Sequence, residues 1–279
     1  VAAIGVARDA PTALLAAHNV PAAQIVRADA SAPPLDIARF AVIVDPSRRE
    51  SGTRRFDPAA FSPPWDVTMA IAQAAPAAVV KASPGIGHEH IPASAEAEFV
   101  QLGRSMREAA LWSGHTATPG LRRAVLLPAA VELDSTAEEC DATTVPVGDY
   151  IFDPESCVTR AGLVRHLGRI LRAQMLDENV AYLTGAEPSE HPMAATFAVL
   201  ERLPFSVSRL KETLRRNHWR PVEIRRRAFP IEPDELRGLL GKLDGEPMTV
   251  LCTTLGGNKT IIIGRRVRST GPGQSPDRQ

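Results

Sequence analysis

Phe40-Ala41-Val42-Ile43-Val44-Asp45-Pro46-Ser47-Arg48-Arg49 sets five apolar residues against an abrupt polar stop. A short apolar run without alternation fits a strand buried on both faces, and Asp-Pro ends it because proline brings no N–H to a ladder. Reading outward, residues 1–6 form another such strand, and Asp9 and Pro11 open a helix over residues 12–19. A strand at 23–27 ends in Ala28-Asp29-Ala30. On the other side, residues 65–75 have helical composition, and 77–81 form a strand that stops at Ser83-Pro84-Gly85. Residues 108–112 and 123–128 are expected to close the sheet as a strand pair. Short apolar strands alternating with helices predict an α/β fold, a mostly parallel sheet with helices on both faces.

Residues 134–149 are polar and aperiodic, as a linker is. Residues 160–176 read as one amphipathic helix, with Leu163, Leu167, Ile170 and Leu171 at helical spacing. Residues 197–203 suit a strand or a helix; 207–217 read as a helix and 222–227 as a strand. A helix over 233–243 starts on Pro233 with acids in its first turn. Strands at 248–254 and 260–266 flank the hairpin signal Gly256-Gly257-Asn258. The expected division is therefore a first domain over 1–133, a linker over 134–149, a smaller α/β domain over 150–268, and a disordered Gly/Pro/Ser-rich tail over 269–279.

The chain has 279 residues, 44% of them hydrophobic and 23% charged, with a formal net charge of zero. No global field steers it to nucleic acid or to a membrane, so any cationic surface is local. No apolar run approaches the ~20 residues of a membrane helix, and no signal-peptide pattern opens the chain. Val1 falls inside a strand pattern, which suggests a missing N-terminal portion, a misplaced start or a short form. Cys140, Cys157 and Cys252 make no CxxC pair, so neither zinc nor a disulfide framework is expected, and a reducing, cytoplasmic setting fits.

In open α/β sheets ligands sit beyond the carboxyl ends of the strands. Those ends carry Ala7-Arg8-Asp9, Ala28-Asp29-Ala30, Asp45-Pro46-Ser47-Arg48-Arg49 and Lys81-Ala82-Ser83-Pro84-Gly85. Carboxylates there suit the amines or ribose hydroxyls of a cofactor; equally, they cap helices and start turns.

Taken in order, residues 1–6, the helix ending His18-Asn19 and Ala28-Asp29-Ala30 resemble the second and third motifs of class I S-adenosylmethionine-dependent methyltransferases. Asp45-Pro46-Ser47-Arg48-Arg49 stands where that family carries an Asp/Asn-Pro at its target-base pocket. Ser62-Pro63-Pro64-Trp65-Asp66, Val79-Val80-Lys81-Ala82-Ser83-Pro84-Gly85, Tyr182-Leu183-Thr184-Gly185 and Gly256-Gly257-Asn258-Lys259 resemble bacterial members with a C-terminal THUMP-like domain. The resemblance implies a partial Rossmann-like methyltransferase sheet joined to a THUMP-like domain, S-adenosylmethionine as cofactor, and RNA as partner.

By the same resemblance Asp29 holds the adenine amino group, with Ala30 and Asp9 beside it, and Asp45 and Pro46 form the acceptor pocket. Arg48, Arg49, Lys81 and Trp65 surround the substrate, with Trp65 either stacking the base or packed in the core. The mechanism implied is direct displacement by a base nitrogen, in which the protein positions groups and removes a proton. Two departures stand out: the family's glycine-rich first motif is absent, and Ala7 falls near the place of the acid that holds ribose. Weak or absent cofactor binding by this chain follows as an expectation.

Two other patterns carry less. Pro84-Gly85-Ile86-Gly87 lacks a third glycine and stands too late in the strand order for a cofactor loop. His88-Glu89-His90 offers two imidazoles and no third ligand, so no metal is expected. Cations concentrate instead between Arg209 and Arg227. Arg209, Lys211, Arg215 and Arg216 flank the Val207/Leu210/Leu214 stripe of a helix, and Arg225 and Arg227 alternate away from Val222 and Ile224 on the next strand. Together they suit a phosphate-binding face for RNA, against a solvated surface neutralised by Glu212 and Glu232. Three functions stay open: an RNA methyltransferase, a non-catalytic RNA-binding relic of one, and a small-molecule methyltransferase.

Overall fold

Asp9 sits where its place before Pro11 predicts, as the N-cap of α1 (Ala10–Asn19), its Oδ1 accepting from the Thr12 N–H at 2.9 Å. The computed structural model describes residues 2–47, 49–50, 53–54 and 61–267, and the chain divides into two units, Val1–Arg123 and Ala124–Gln279. Arg48, the Arg49 side chain and the 269–279 tail lie outside what is described.

In the first unit, α1 crosses between β1 (Ile4–Ala7) and β2 (Gln24–Arg27), which pair in parallel as a separate two-stranded sheet. No described residue from 2 to 45 is buried, and Leu14 and Leu15 of α1 are 73% and 62% exposed. β3 (Ala41–Val44) leads through the two-residue ladder of β4 (Arg49–Glu50) and β5 (Thr53–Arg54) to α2 (Trp65–Ala74). The chain then enters β6 (Ala77–Ala82), parallel to β3. The core of the unit lies here: α2 packs on β6 and β8, and Ala72, Val80, Ala82, Phe99, Ala109 and Leu111 are buried.

The closing pair differs from the sequence expectation. β7 (Glu96–Leu102) and β8 (Ser105–Gly114) form an antiparallel hairpin, and β8 also pairs antiparallel with β6. Gly103, at φ 58°, lies in the two-residue turn between them, and so short a loop closes at less entropic cost than pairing 108–112 with 123–128. β9 (Arg122–Leu127) and β10 (Val131–Asp134) follow, with the division between units falling inside β9.

The second unit opens with β11 (Tyr150–Pro154), α3 (Ser156–Ala161), α4 (Val164–Leu171), β12 (Gln174–Asp177) and β13 (Val180–Gly185). Residues 160–176 are thus two helices and a strand rather than one helix. Gly162, at φ 69°, ends α3 in the left-handed conformation, and Arg172 does the same for α4. Residues 135–149 form no element but are stitched down, Cys140 N–H to the Arg165 carbonyl at 2.9 Å and Val145 N–H to the Met175 carbonyl at 3.0 Å.

β14 (Ala194–Pro204), α5 (Val207–Arg216), β15 (Trp219–Arg227), α6 (Pro233–Leu240), β16 (Glu246–Leu255) and β17 (Asn258–Arg266) complete the unit. Seven strands run in the order β12-β13-β11-β14-β17-β16-β15, with only β15 and β16 parallel. One core joins Leu210 and Leu214 of α5 and Leu236 and Leu240 of α6 to Ile224, Val250 and Ile263. Each such leucine contributes about 1.5–3 kcal/mol on burial. A second core gathers Ile151, Tyr182, Phe197, Leu251 and Ile262, where the sheet curls so that β13 meets β15 and β16. A bulge between Pro221 and Glu223 breaks the alternation of β15, leaving Val222 46% exposed while Ile224 stays buried.

Candidate functional site

The strand ends of the first unit hold a small ordered cluster. Asp45 leaves β3 into solvent, and Pro46 behind it is buried. Ser47 and Ser62 form an isolated antiparallel bridge, Ser47 N–H to the Ser62 carbonyl at 2.8 Å and Ser62 N–H to the Ser47 carbonyl at 3.0 Å. Lys81, at the end of β6, places Nζ 3.8 Å from Asp45 Oδ2 and 3.2 Å from Glu108 Oε2 on β8. Lys81 is therefore engaged by two carboxylates rather than offered as an open cation.

Trp65 does not stand as a stacking wall. It is 8% exposed, its indole N–H donates to the His90 carbonyl at 3.0 Å, and its ring meets Phe61 edge-on at 6.2 Å. Of its two expected roles, packing in the core is the observed one. The Gly85-Ile86-Gly87 segment is a turn on Ser83, with Ile86 buried and the Glu89 carboxylate folded over Gly87.

At the end of β2, Asp29 Oδ1 accepts from the Ser31 N–H at 2.8 Å. That hydrogen bond holds its carboxyl below the ordinary carboxylate value. Ala30 is half-buried beside it. Asp9 is likewise held low, first by the Thr12 N–H it caps, so its carboxylate is occupied by the helix end.

In the second unit the cations divide into two sets. On α5, Leu210, Thr213 and Leu214 are buried and Arg209, Arg215 and Arg216 are exposed, with Lys211 half-buried. Ser208, Lys211, Glu212, Arg215 and Arg216 line an open depression of about 520 Å³. Among the described residues none of these four cations forms an ion pair.

Arg225 and Arg227 face the other way, into the curl of the sheet. Arg225 Nη1 lies 2.5 Å from Asp153 Oδ2, and Arg227 Nε lies 2.7 Å from Asp153 Oδ1. Arg225 also donates to Glu223 at 2.9 Å and stacks its guanidinium 5.3 Å above Phe197, while Arg227 lies 5.4 Å above Tyr182. Burial alone would push the Arg225 value down, but the Asp153 and Glu223 carboxylates raise it above the ordinary one. The predicted continuous cationic face therefore loses these two residues. Their charge is taken up internally because β15 curls toward β11. Arg226 pairs with Glu232.

Residues 194–266, β14 to β17, match the model of the THUMP domain-like family. Two relatives from Mycobacterium tuberculosis strains, each described as an uncharacterized S-adenosylmethionine-dependent methyltransferase, are 34% identical over 264 residues, spanning 92% of this chain and 72% of theirs. The chain belongs to this S-adenosylmethionine-dependent methyltransferase family. The fold of the methyltransferase also matches a crystal structure described as a methyltransferase from Porphyromonas gingivalis W83, with a TM-score of 0.72 at 21% identity, over 96% of this chain and 72% of that one.

S-adenosylmethionine is the family's cofactor. At the end of β2 the Asp29 carboxyl, held below the ordinary value, makes no hydrogen bond through Oδ2 among the described residues. A carboxylate so placed can accept from an exocyclic amine.

Two residues of these sites escape sequence reading. Glu108 falls in a predicted strand, but nothing local marks its approach to Lys81. Asp153 lies 72 and 74 positions from its arginine partners. Only strand register brings either to its place.

Proposed function

We propose that this methyltransferase acts on RNA, transferring a methyl group directly to a base nitrogen at the Asp45–Pro46 turn while the cationic side of α5 contacts phosphates. When bound, S-adenosylmethionine supplies an electrophilic methyl group. Asp45 accepts a hydrogen bond from the acceptor nitrogen, turns its lone pair toward the methyl, and receives the proton released. Pro46, buried behind it, restricts the backbone that presents the carboxylate. Asp29 orients the adenine.

The observation that carries the RNA reading is the set Arg209, Lys211, Arg215 and Arg216 on one helix, which forms no ion pair among the described residues. Lys211 and Arg215 stand four residues apart, a like-charge spacing that costs an isolated helix about 0.2–0.5 kcal/mol. A partner rich in phosphate removes that repulsion, and binding of this kind gives affinity with strong salt dependence. The THUMP domain-like match over 194–266, which includes α5, supports the same reading.

Alanine at all four positions should weaken binding of bulk tRNA and flatten its log–log salt dependence by about 0.7–0.9 for each phosphate no longer neutralised. An unchanged salt slope in that variant would sink the RNA reading.

A further inference from the structure

We infer that Glu108 and Lys81 are positioning residues of the acceptor site: Lys81 is held between Glu108 and Asp45, and through it Glu108 fixes the Asp45 carboxylate. The inference rests on the reading of Asp45–Pro46 as the acceptor pocket. Strand register brings the three together. Lys81 stands opposite Ala110, and Glu108, two residues along β8, lies on the same face as its diagonal neighbour. Val44 stands opposite Val80 on the parallel partner, so Asp45 leaves β3 level with Lys81. The ammonium reaches both carboxylates, at 3.2 Å and 3.8 Å.

The charge of the cluster bears on the reaction. Among the described residues, the two carboxylates and the ammonium of this triad sum to one net negative charge. In the transfer, the acceptor nitrogen's lone pair forms the N–C bond as the S–C bond breaks with its electron pair leaving on sulfur. Positive charge passes from sulfur to nitrogen, which then releases a proton to Asp45. A fixed negative cluster on the acceptor side stabilises that developing charge. Lys81 is then no phosphate ligand, because its ammonium is already shared by two acids.

Side chains as open as these contribute little to folding, so substitutions here should leave stability nearly unchanged. The test uses the whole chain with bulk tRNA and millimolar S-adenosylmethionine. Glu108→Gln and Lys81→Met should each lower kcat about tenfold while KM for RNA stays within about twofold, and Lys81→Arg should recover most of the rate. A raised KM and a shallower salt slope in Lys81→Met, with kcat kept, would make Lys81 a phosphate ligand and overturn the inference.

Lysine-ammonium NMR gives a readout independent of turnover. The Lys81 signal should move in both Glu108→Gln and Asp45→Asn. Its failure to move in either variant would overturn the inference alone. Movement in both, with no methyl transfer to RNA by the unaltered chain, would overturn the acceptor reading and the inference with it.

Discussion

Arg227 reaches Asp153 across the curl of the second unit, Nε to Oδ1 at 2.7 Å, although three strands stand between β15 and β11 in the sheet. Its Nη2 also donates to the Pro154 carbonyl at 2.7 Å, and Arg225 holds the other oxygen of the same carboxylate. Asp153 is buried, so its removal leaves two confined guanidiniums without their shared anion. Asp153→Asn should cost about 3 kcal/mol, the lower end for breaking a buried ion pair, read as a fall in the urea midpoint. Arg215→Ala on the open side of α5 should stay within about 0.5 kcal/mol. Equal midpoints for the two variants would contradict the internal role of Arg225 and Arg227.

Gly245 enters β16 at φ 131°, and a Cβ there would lie 1.9 Å from the His218 carbonyl oxygen. That same oxygen accepts from the Glu246 N–H at 2.8 Å, so the strand cannot shift away without breaking its first hydrogen bond. Gly245→Ala should therefore destabilise the protein by at least about 2 kcal/mol, with thermal unfolding as the measure. A melting temperature equal to that of the unaltered chain would contradict this.

Asp177 Oδ2 accepts from the Gly256 N–H at 2.8 Å, and its Oδ1 from the Asn179 N–H at 2.9 Å, so it ties the β16–β17 turn to β12. The Gly256 and then the Asn179 hydrogen bonds hold its carboxyl below the ordinary value of 3.8. A depressed folded value means that the stabilisation is complete above the unfolded value and is lost as pH falls through the folded one. The carboxylate is half-buried and its bonds are at the surface, so the effect is small. Asp177→Asn should be less stable than the parent at neutral pH, with the difference closing below about pH 4. A gap that persists unchanged into acid would contradict the assignment.

With no buried residue from 2 to 45, β1, α1 and β2 have little to hold them closed. Amide exchange in these elements should be much faster than in β6 and β8. By calorimetry, the chain should bind S-adenosylmethionine more weakly than the micromolar range. Slow exchange in β1 and β2 together with micromolar binding would contradict both expectations.

How much of this was legible in the sequence depends on distance along the chain. The α1 cap, the β3 stop at Asp45-Pro46 and the Gly256-Gly257 turn are local patterns, and each forms as read. Gly162 was also local, yet the spacing of Leu163, Leu167 and Leu171 masked it; those leucines are buried, Leu163 as the N-cap of α4 and the other two along it, after Gly162 has already ended α3. The cations of the second unit were half legible. Periodicity placed the α5 set correctly relative to its apolar stripe, and alternation turned Arg225 and Arg227 away from Ile224 as expected. What alternation could not show is that the far face of β15 closes on Asp153 instead of on water.

Transfer of labelled methyl groups from millimolar S-adenosylmethionine to RNA, compared between the unaltered chain and Asp45→Ala, tests the central proposal most directly. Label should appear on a base nitrogen of the RNA, and Asp45→Ala should lose at least about tenfold of that rate while still binding RNA. Label entering RNA equally well without Asp45, or passing only to small molecules, would contradict it.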